Sequence, residues 1–220
     1  MWFRRRQPGP ADDPVATSGS VTSNAAGTVE VDALRSPGLR KSIDRTFRGD
    51  KARIIDLGPL CGSSVVDLAS RGARVCVEEF VPPRPLTAIA DADDAPDPPA
   101  IRFDHDDASF DLVLLWERLD FVPPDRLREF CQEIRRILKV GGWVLALTSS
   151  RKEPRRAAAA RIRIVDDEHI ARDSSGEPER PRWAHPNREL ERALDGVSIQ
   201  GIHLHRDGLR EVTGLKGGVR

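Results

Sequence analysis

The chain has 220 residues, enough for one sizeable core and too few for two comfortable domains. Its 35 basic and 35 acidic residues cancel, which argues against a nucleic-acid binder with a broad phosphate footprint. Three cysteines (Cys61, Cys76 and Cys131) are an odd count without metal-type spacing, so reduced thiols in a cytoplasmic protein fit better than a disulfide framework.

The opening MWFRRRQPGPADD has cations but lacks the apolar stretch of a secretory signal. No apolar run approaches the roughly 18 residues of a membrane span. Residues 1–30 are rich in Pro, Ser, Gly, Ala and Thr without periodicity, which predicts a disordered tail before one domain over 31–220. A helical lead-in is expected over 34–47, where Leu39, Ile43 and Phe47 share one face.

An alternation of strands and helices then begins. Residues 53–57 read as a first strand and 62–70 as a helix that Gly72 ends. Residues 73–78 (ARVCVE) read as a second strand. Between Asp91 and Asp107 lie seven aspartates and three prolines, the composition of a solvated loop. A third strand is expected near 100–103. FDLVLLW over 110–116 is a continuous apolar strand, as when helices cover both faces of a sheet. DRLREFCQEIRRILK over 125–139 carries one apolar stripe and reads as a helix stopped by Gly141-Gly142, and WVLAL over 143–147 is the next buried strand. Six basic residues and one acid fall between Arg151 and Arg163. Residues 161–165 and 169–172 suit a small hairpin, either at the edge of the fold or over a substrate crevice. A helix over 188–194 and a β-hairpin over 198–216, turning at Asp207-Gly208, close the chain. The pattern predicts an α/β fold with a mostly parallel, doubly wound sheet and an antiparallel C-terminal hairpin.

Ligands of such sheets bind beyond the carboxyl ends of the strands, where strand order reverses. Three places answer that rule. They are DLGPLCG after the first strand, Glu78-Glu79 after the second, and Trp116-Glu117 after the apolar strand. Gly58 and Gly62 are separated by three residues, which fails the G-x-G-x-x-G of dinucleotide sites, and no phosphate-gripping G-x-x-x-x-G-K-[ST] occurs. His203 and His205 share a strand face but have no third ligand in view, so no metal is expected.

KARIIDLGPLCGSSVVDLASRGARVCVEE, SFDLVLLWERLDFVPPDRLREFCQEIRRILKVGGWVLAL and IHLHRDGLREVTGLK together resemble the class I S-adenosylmethionine-dependent methyltransferases. The resemblance implies a Rossmann-like, seven-stranded sheet and S-adenosyl-L-methionine as cofactor. It places Asp56, Gly58 and Gly62 along the methionine part of the cofactor, and Cys61, in the same loop, either packs beneath the turn or contacts the cofactor through its backbone. Glu78 or Glu79 would meet the ribose hydroxyls, and Asp106 or Asp107 would lie near the adenine. Trp116 would lie near the transferred methyl group. Leu60 stands where the family often has a glycine, so the loop is expected to be crowded there. Glu117 is the candidate general base, with Asp120 behind it. LWERLDF lacks the Asn/Asp-Pro-Pro-aromatic signature of base methylation on nucleic acids. The expected activity is methyl transfer to a small molecule or a protein, with no nucleic-acid or membrane partner. The alternative is a non-catalytic methyltransferase-like binding or regulatory protein with a degenerate cofactor loop.

Overall fold

The computed structural model describes residues 33–49, 51–80, 99–150, 155–175 and 179–218. The expected tail over 1–30 and the acidic stretch up to residue 98 lie outside them. The main sheet has six strands among the described residues, in the order β10-β11-β5-β4-β2-β3. β2 (Arg53–Asp56), β3 (Arg74–Val77), β4 (Phe110–Trp116) and β5 (Leu138–Ser149) run parallel. β11 (Leu209–Lys216) is antiparallel to β5, and β10 (Val197–Leu204) is antiparallel to β11. The chain steps from β2 outward to β3, then returns to β4 on the other side of β2. The strand order therefore reverses between β2 and β4, and the crevice of the fold lies beyond their carboxyl ends.

Successive side chains of β4 alternate between two cores. Val113 and Leu115 pack with α3 (Leu127–Ile137) and α4 (Asn187–Ala193), through Phe130, Ile134 and Leu190. Leu112, Leu114 and Trp116 pack with α1 (Pro37–Thr46) and α2 (Gly62–Ser70), through Leu39, Ile43 and Leu68. That alternation explains the apolar run of β4 from Leu112 to Trp116, since both of its faces are buried there.

The third strand expected near 100–103 is not formed. There the backbone is satisfied by side chains of α3 instead of by a neighbouring strand. Ile101 N donates to Glu129 and Phe103 N donates to Glu133, while Arg136 donates to Phe103 O. The helix over 125–139 is also shorter than expected. A 3-10 turn at Pro124–Arg126 precedes it, and Leu138 is already extended because it pairs with Phe110 in the sheet. Gly141-Gly142 thus lies inside β5, not at a helix stop.

An insertion follows β5. β6 (Arg155–Ala158) pairs with β9 (Glu179–Arg182), and β7 (Arg161–Ile164) pairs with β8 (His169–Asp173). β8 also pairs with β1 (Ala33–Arg35), so the residues just before α1 form a strand where the sequence suggested helix. β7 is fastened to α2 through Ser64, whose hydroxyl donates to Ile162 O and accepts from Ile164 N. No helix among the described residues is long and apolar enough to cross a membrane.

One buried acid sets the position of α1. Glu211, in β11, is fully buried. It accepts from the Ser36 hydroxyl and from Gly38 N at the start of the helix, where unpaired amides and the helix dipole favour an anion. A Cβ on Gly38 would lie 2.5 Å from the carboxylate oxygen, so glycine is required there. Glu211→Ala would orphan both donors, and a loss of about 2–3 kcal/mol is expected. Urea unfolding measures it, and a loss below about 0.5 kcal/mol, the range of neutral surface changes, would refute the assignment.

Candidate functional site

The floor of the crevice is built on Asp56, the last residue of β2. The carboxylate is 2% exposed. Its Oδ1 accepts from Gly58 N at 2.9 Å and from Trp116 Nε1 at 2.8 Å. One oxygen thereby fixes both the turn after β2 and the indole at the end of β4. Burial pushes the Asp56 carboxyl up to about 6, against the hydrogen bonds from Gly58 and Trp116 and the positive charge of Arg118.

Trp116 is itself unusual. Its φ is +46°, a left-handed conformation that costs a bulky residue on the order of 1–3 kcal/mol. The pairing of β4 with β5 shifts register between Leu114 and Trp116. The side chain turns back over the loop, where a Cβ on Gly58 would lie 2.6 Å from the indole Cδ1. Gly58 is thus required by contact with Trp116. Gly62 differs, because a Cβ there would meet nothing within 4 Å. It opens α2 beside Cys61, the residue that caps the helix. Burial of the Cys61 thiol is outweighed by hydrogen bonds from Ser63 and Ser64, which hold it below its usual range. Leu60 is 62% exposed. The expected crowding of the loop does not occur, because the isobutyl group points into solvent.

The acids after β3 are both engaged. Glu78 contacts His105 Nε2 at 2.9 Å. Glu79 is exposed and stands 3.5 Å from the guanidinium of Arg118. Asp56, Gly58, Cys61, Gly62, Glu78, Glu79 and Trp116 are therefore gathered around the carboxyl ends of β2, β3 and β4. Asp107 is not among them. It pairs with Arg136 at 2.8 Å, and the next two residues hydrogen-bond the last turn of α3. That places it at the opposite end of the sheet, where the loop enters β4. Asp106 is exposed on the same loop. Among the described residues no cluster of His, Cys, Asp and Glu suits a metal.

Glu117 and Asp120 are not poised as bases. Glu117 is 2% exposed and accepts from Arg172 of β8, through Nε at 2.8 Å and through a second guanidinium nitrogen. Asp120 is fully buried. It accepts from Arg182 of β9, from the Thr148 hydroxyl and from Ser149 N. Burial pushes its carboxyl up, while Arg182 and Thr148 pull it down. The two acids fasten the two arms of the insertion to the turn after β4. Arg172 and Arg182 were not singled out in the sequence, and no local signal marks them, since each lies more than fifty residues from its acid.

Residues 55–146 match the family model of the methyltransferase domain. No curated protein matches the sequence. Among solved structures, an S-adenosylmethionine-dependent methyltransferase from Methanosarcina mazei is 18% identical over 80% of this chain and 97% of its own, with a TM-score of 0.50. One from Mesorhizobium loti is 18% identical over 81% of this chain and 96% of its own, with a TM-score of 0.47. The 1,6-didemethyltoxoflavin-N1-methyltransferase of Burkholderia thailandensis is 17% identical over 83% of this chain and 80% of its own, with a TM-score of 0.48. The first of these likenesses is one of fold.

Asp56 gives a pH-dependent test. An unfolded aspartate releases its proton near 3.8, whereas the folded carboxyl holds it to about 6. The folded chain binds more protons in that window, so the Asp56 contribution to stability falls as pH rises from about 4 to about 6 and is flat above. Asp56→Asn has no such proton. The stability of the wild type relative to this variant should fall by up to about 3 kcal/mol between pH 4 and pH 7. Parallel pH profiles in denaturant unfolding would contradict the burial argument.

Proposed function

We infer that the chain, whose residues 55–146 match the methyltransferase family model, binds S-adenosylmethionine in the crevice beyond β2, β3 and β4 and transfers its methyl group to a small molecule or a protein. The observation that carries this reading is the loop from Asp56 to Gly62, held by one buried carboxylate at the reversal of strand order.

The residues of that crevice suit the ligand. The amino end of α2 presents backbone amides beside the open space at Gly62, a setting for a carboxylate group. Glu78 and Glu79 are acceptors for a pair of ribose hydroxyls. Leu60, turned to solvent, leaves the loop uncrowded. Trp116 closes the floor beneath, with its indole N–H on Asp56. The bound cofactor supplies a methyl group activated on a cationic sulfur, and the chain's part is to hold and align the two reactants. Glu117 and Asp120 are held by arginines, so alignment carries the rate in this proposal, not proton removal by either acid. We place the protein in the cytoplasm, where its three free cysteines stay reduced.

Calorimetric titration with S-adenosylmethionine and S-adenosylhomocysteine tests the reading. Saturable binding is expected, weakened about tenfold by Glu79→Ala, which is roughly 1.4 kcal/mol. No heat and no thermal shift at millimolar ligand would overturn it.

A further inference from the structure

Trp116 and Glu117 are neighbours in the chain but face different parts of the molecule. Trp116 lies over the glycine loop, with its indole N–H on Asp56. Glu117 lies under the insertion, with its carboxylate on Arg172 and on Ala160 N. Trp116 holds a left-handed backbone conformation that a side chain of its size does not adopt unless its surroundings impose it. Two contacts are placed to impose it, one on each side of the peptide that joins the two residues. The first is the indole hydrogen bond to Asp56. The second is the ion pair of Glu117, whose side chain is 1% exposed against 33% for Arg172.

We propose that the Glu117–Arg172 pair is a latch that holds Trp116 over the glycine loop, so that the insertion governs how tightly the crevice binds its ligand. Trp116 is then a positioning residue that acts through Asp56 and Gly58. With the latch closed, the indole and Gly58 N fix one oxygen of Asp56 and the conformation of the loop. With the latch open, Trp116 is free to return to ordinary strand geometry, and the indole leaves Asp56. The arm carrying Arg172 is β8, which also pairs with β1 and β7. Anything that moves this arm thereby reaches the floor of the crevice. The ligand-affinity part of the proposal rests on the cofactor reading above, and the latch itself has a readout independent of it.

That readout is exchange of the Trp116 indole proton, followed by NMR on protein labelled with ¹⁵N-tryptophan and assigned with Trp116→Phe. Arg172→Met should speed this exchange at least tenfold and weaken S-adenosylhomocysteine binding about tenfold, a typical size for coupling between sites. Trp116→Phe should weaken binding to a similar extent, and combining the two should add little further loss. Asp207→Asn alters the other carboxylate near Arg172, at 3.5 Å, and should leave both readouts unchanged. If Arg172→Met does not fold, Arg172→Lys is used, since it keeps the charge but loses the planar fork, and faster exchange is again expected. Unchanged indole exchange overturns the latch, as does an equal effect of Asp207→Asn. Tighter binding in Arg172→Met would make Trp116 a plug and also overturn it. If exchange responds while no S-adenosylhomocysteine binds to any form, the cofactor reading fails and the latch stands.

Discussion

Two buried carboxylates in one short turn tie the sheet to what is built on it. Glu117 and Asp120 follow β4 directly, and neither reaches solvent. A buried carboxylate without a cation is a heavy penalty, on the order of 3–5 kcal/mol when the partner is removed. The insertion supplies the cations, Arg172 from β8 and Arg182 from β9. The same turn accepts from Trp183 N at Asp120 O, and His185 Nε2 lies within hydrogen-bonding distance of Leu119 O and Val122 O. The insertion is therefore tied at several points to the end of β4, where the crevice begins.

The crevice has a further buried acid, Asp56, with a different role. Among the described residues, the hydrogen-bond partners of Asp56 are an amide and an indole N–H. Burial outweighs those two donors and the more distant charge of Arg118, which is why its carboxyl is pushed up. The contrast between the two kinds of acid follows from their neighbours. Glu117 and Asp120 bind charge and hold tertiary structure together, whereas Asp56 binds neutral donors and sets a loop. Gly58 belongs to the same arrangement, because only a residue without Cβ fits beneath the indole.

How much of this was legible in the sequence depended on the distance to each residue's partners. The helix over 62–70 and the strand over 110–116 were read with the bounds the structure shows, because an apolar run and flanking glycines are local signals. β1 was read as helix because its pairing partner lies in β8, far along the chain. The strand expected at 100–103 failed for a related reason. Its backbone groups are claimed by Glu129, Glu133 and Arg136, polar residues of a helix of which the sequence reading had marked only the apolar stripe. The grouping of Asp56, Gly58, Gly62, Glu78, Glu79 and Trp116 was accessible, since the strand ends that carry them follow from the alternation. The roles of Glu117 and Asp120 were not, because an acid after a strand reads alike whether it faces a ligand or an arginine.

Leu60 shows why a departure from a motif has to be weighed against backbone direction. As a sequence difference it suggested a loop filled by an isobutyl group. In the structure the loop is set by Asp56 and Gly58, four and two residues earlier, and Leu60 lies beyond the bend with its side chain in water. The glycine that must stay is the one beneath Trp116, and the open one is Gly62 at the head of α2. The conformation of the loop is thus under the control of its contacts with Asp56 and Trp116. An exchange at Leu60 leaves that control untouched, whereas any residue that shifts Trp116 alters the floor on which a ligand would rest.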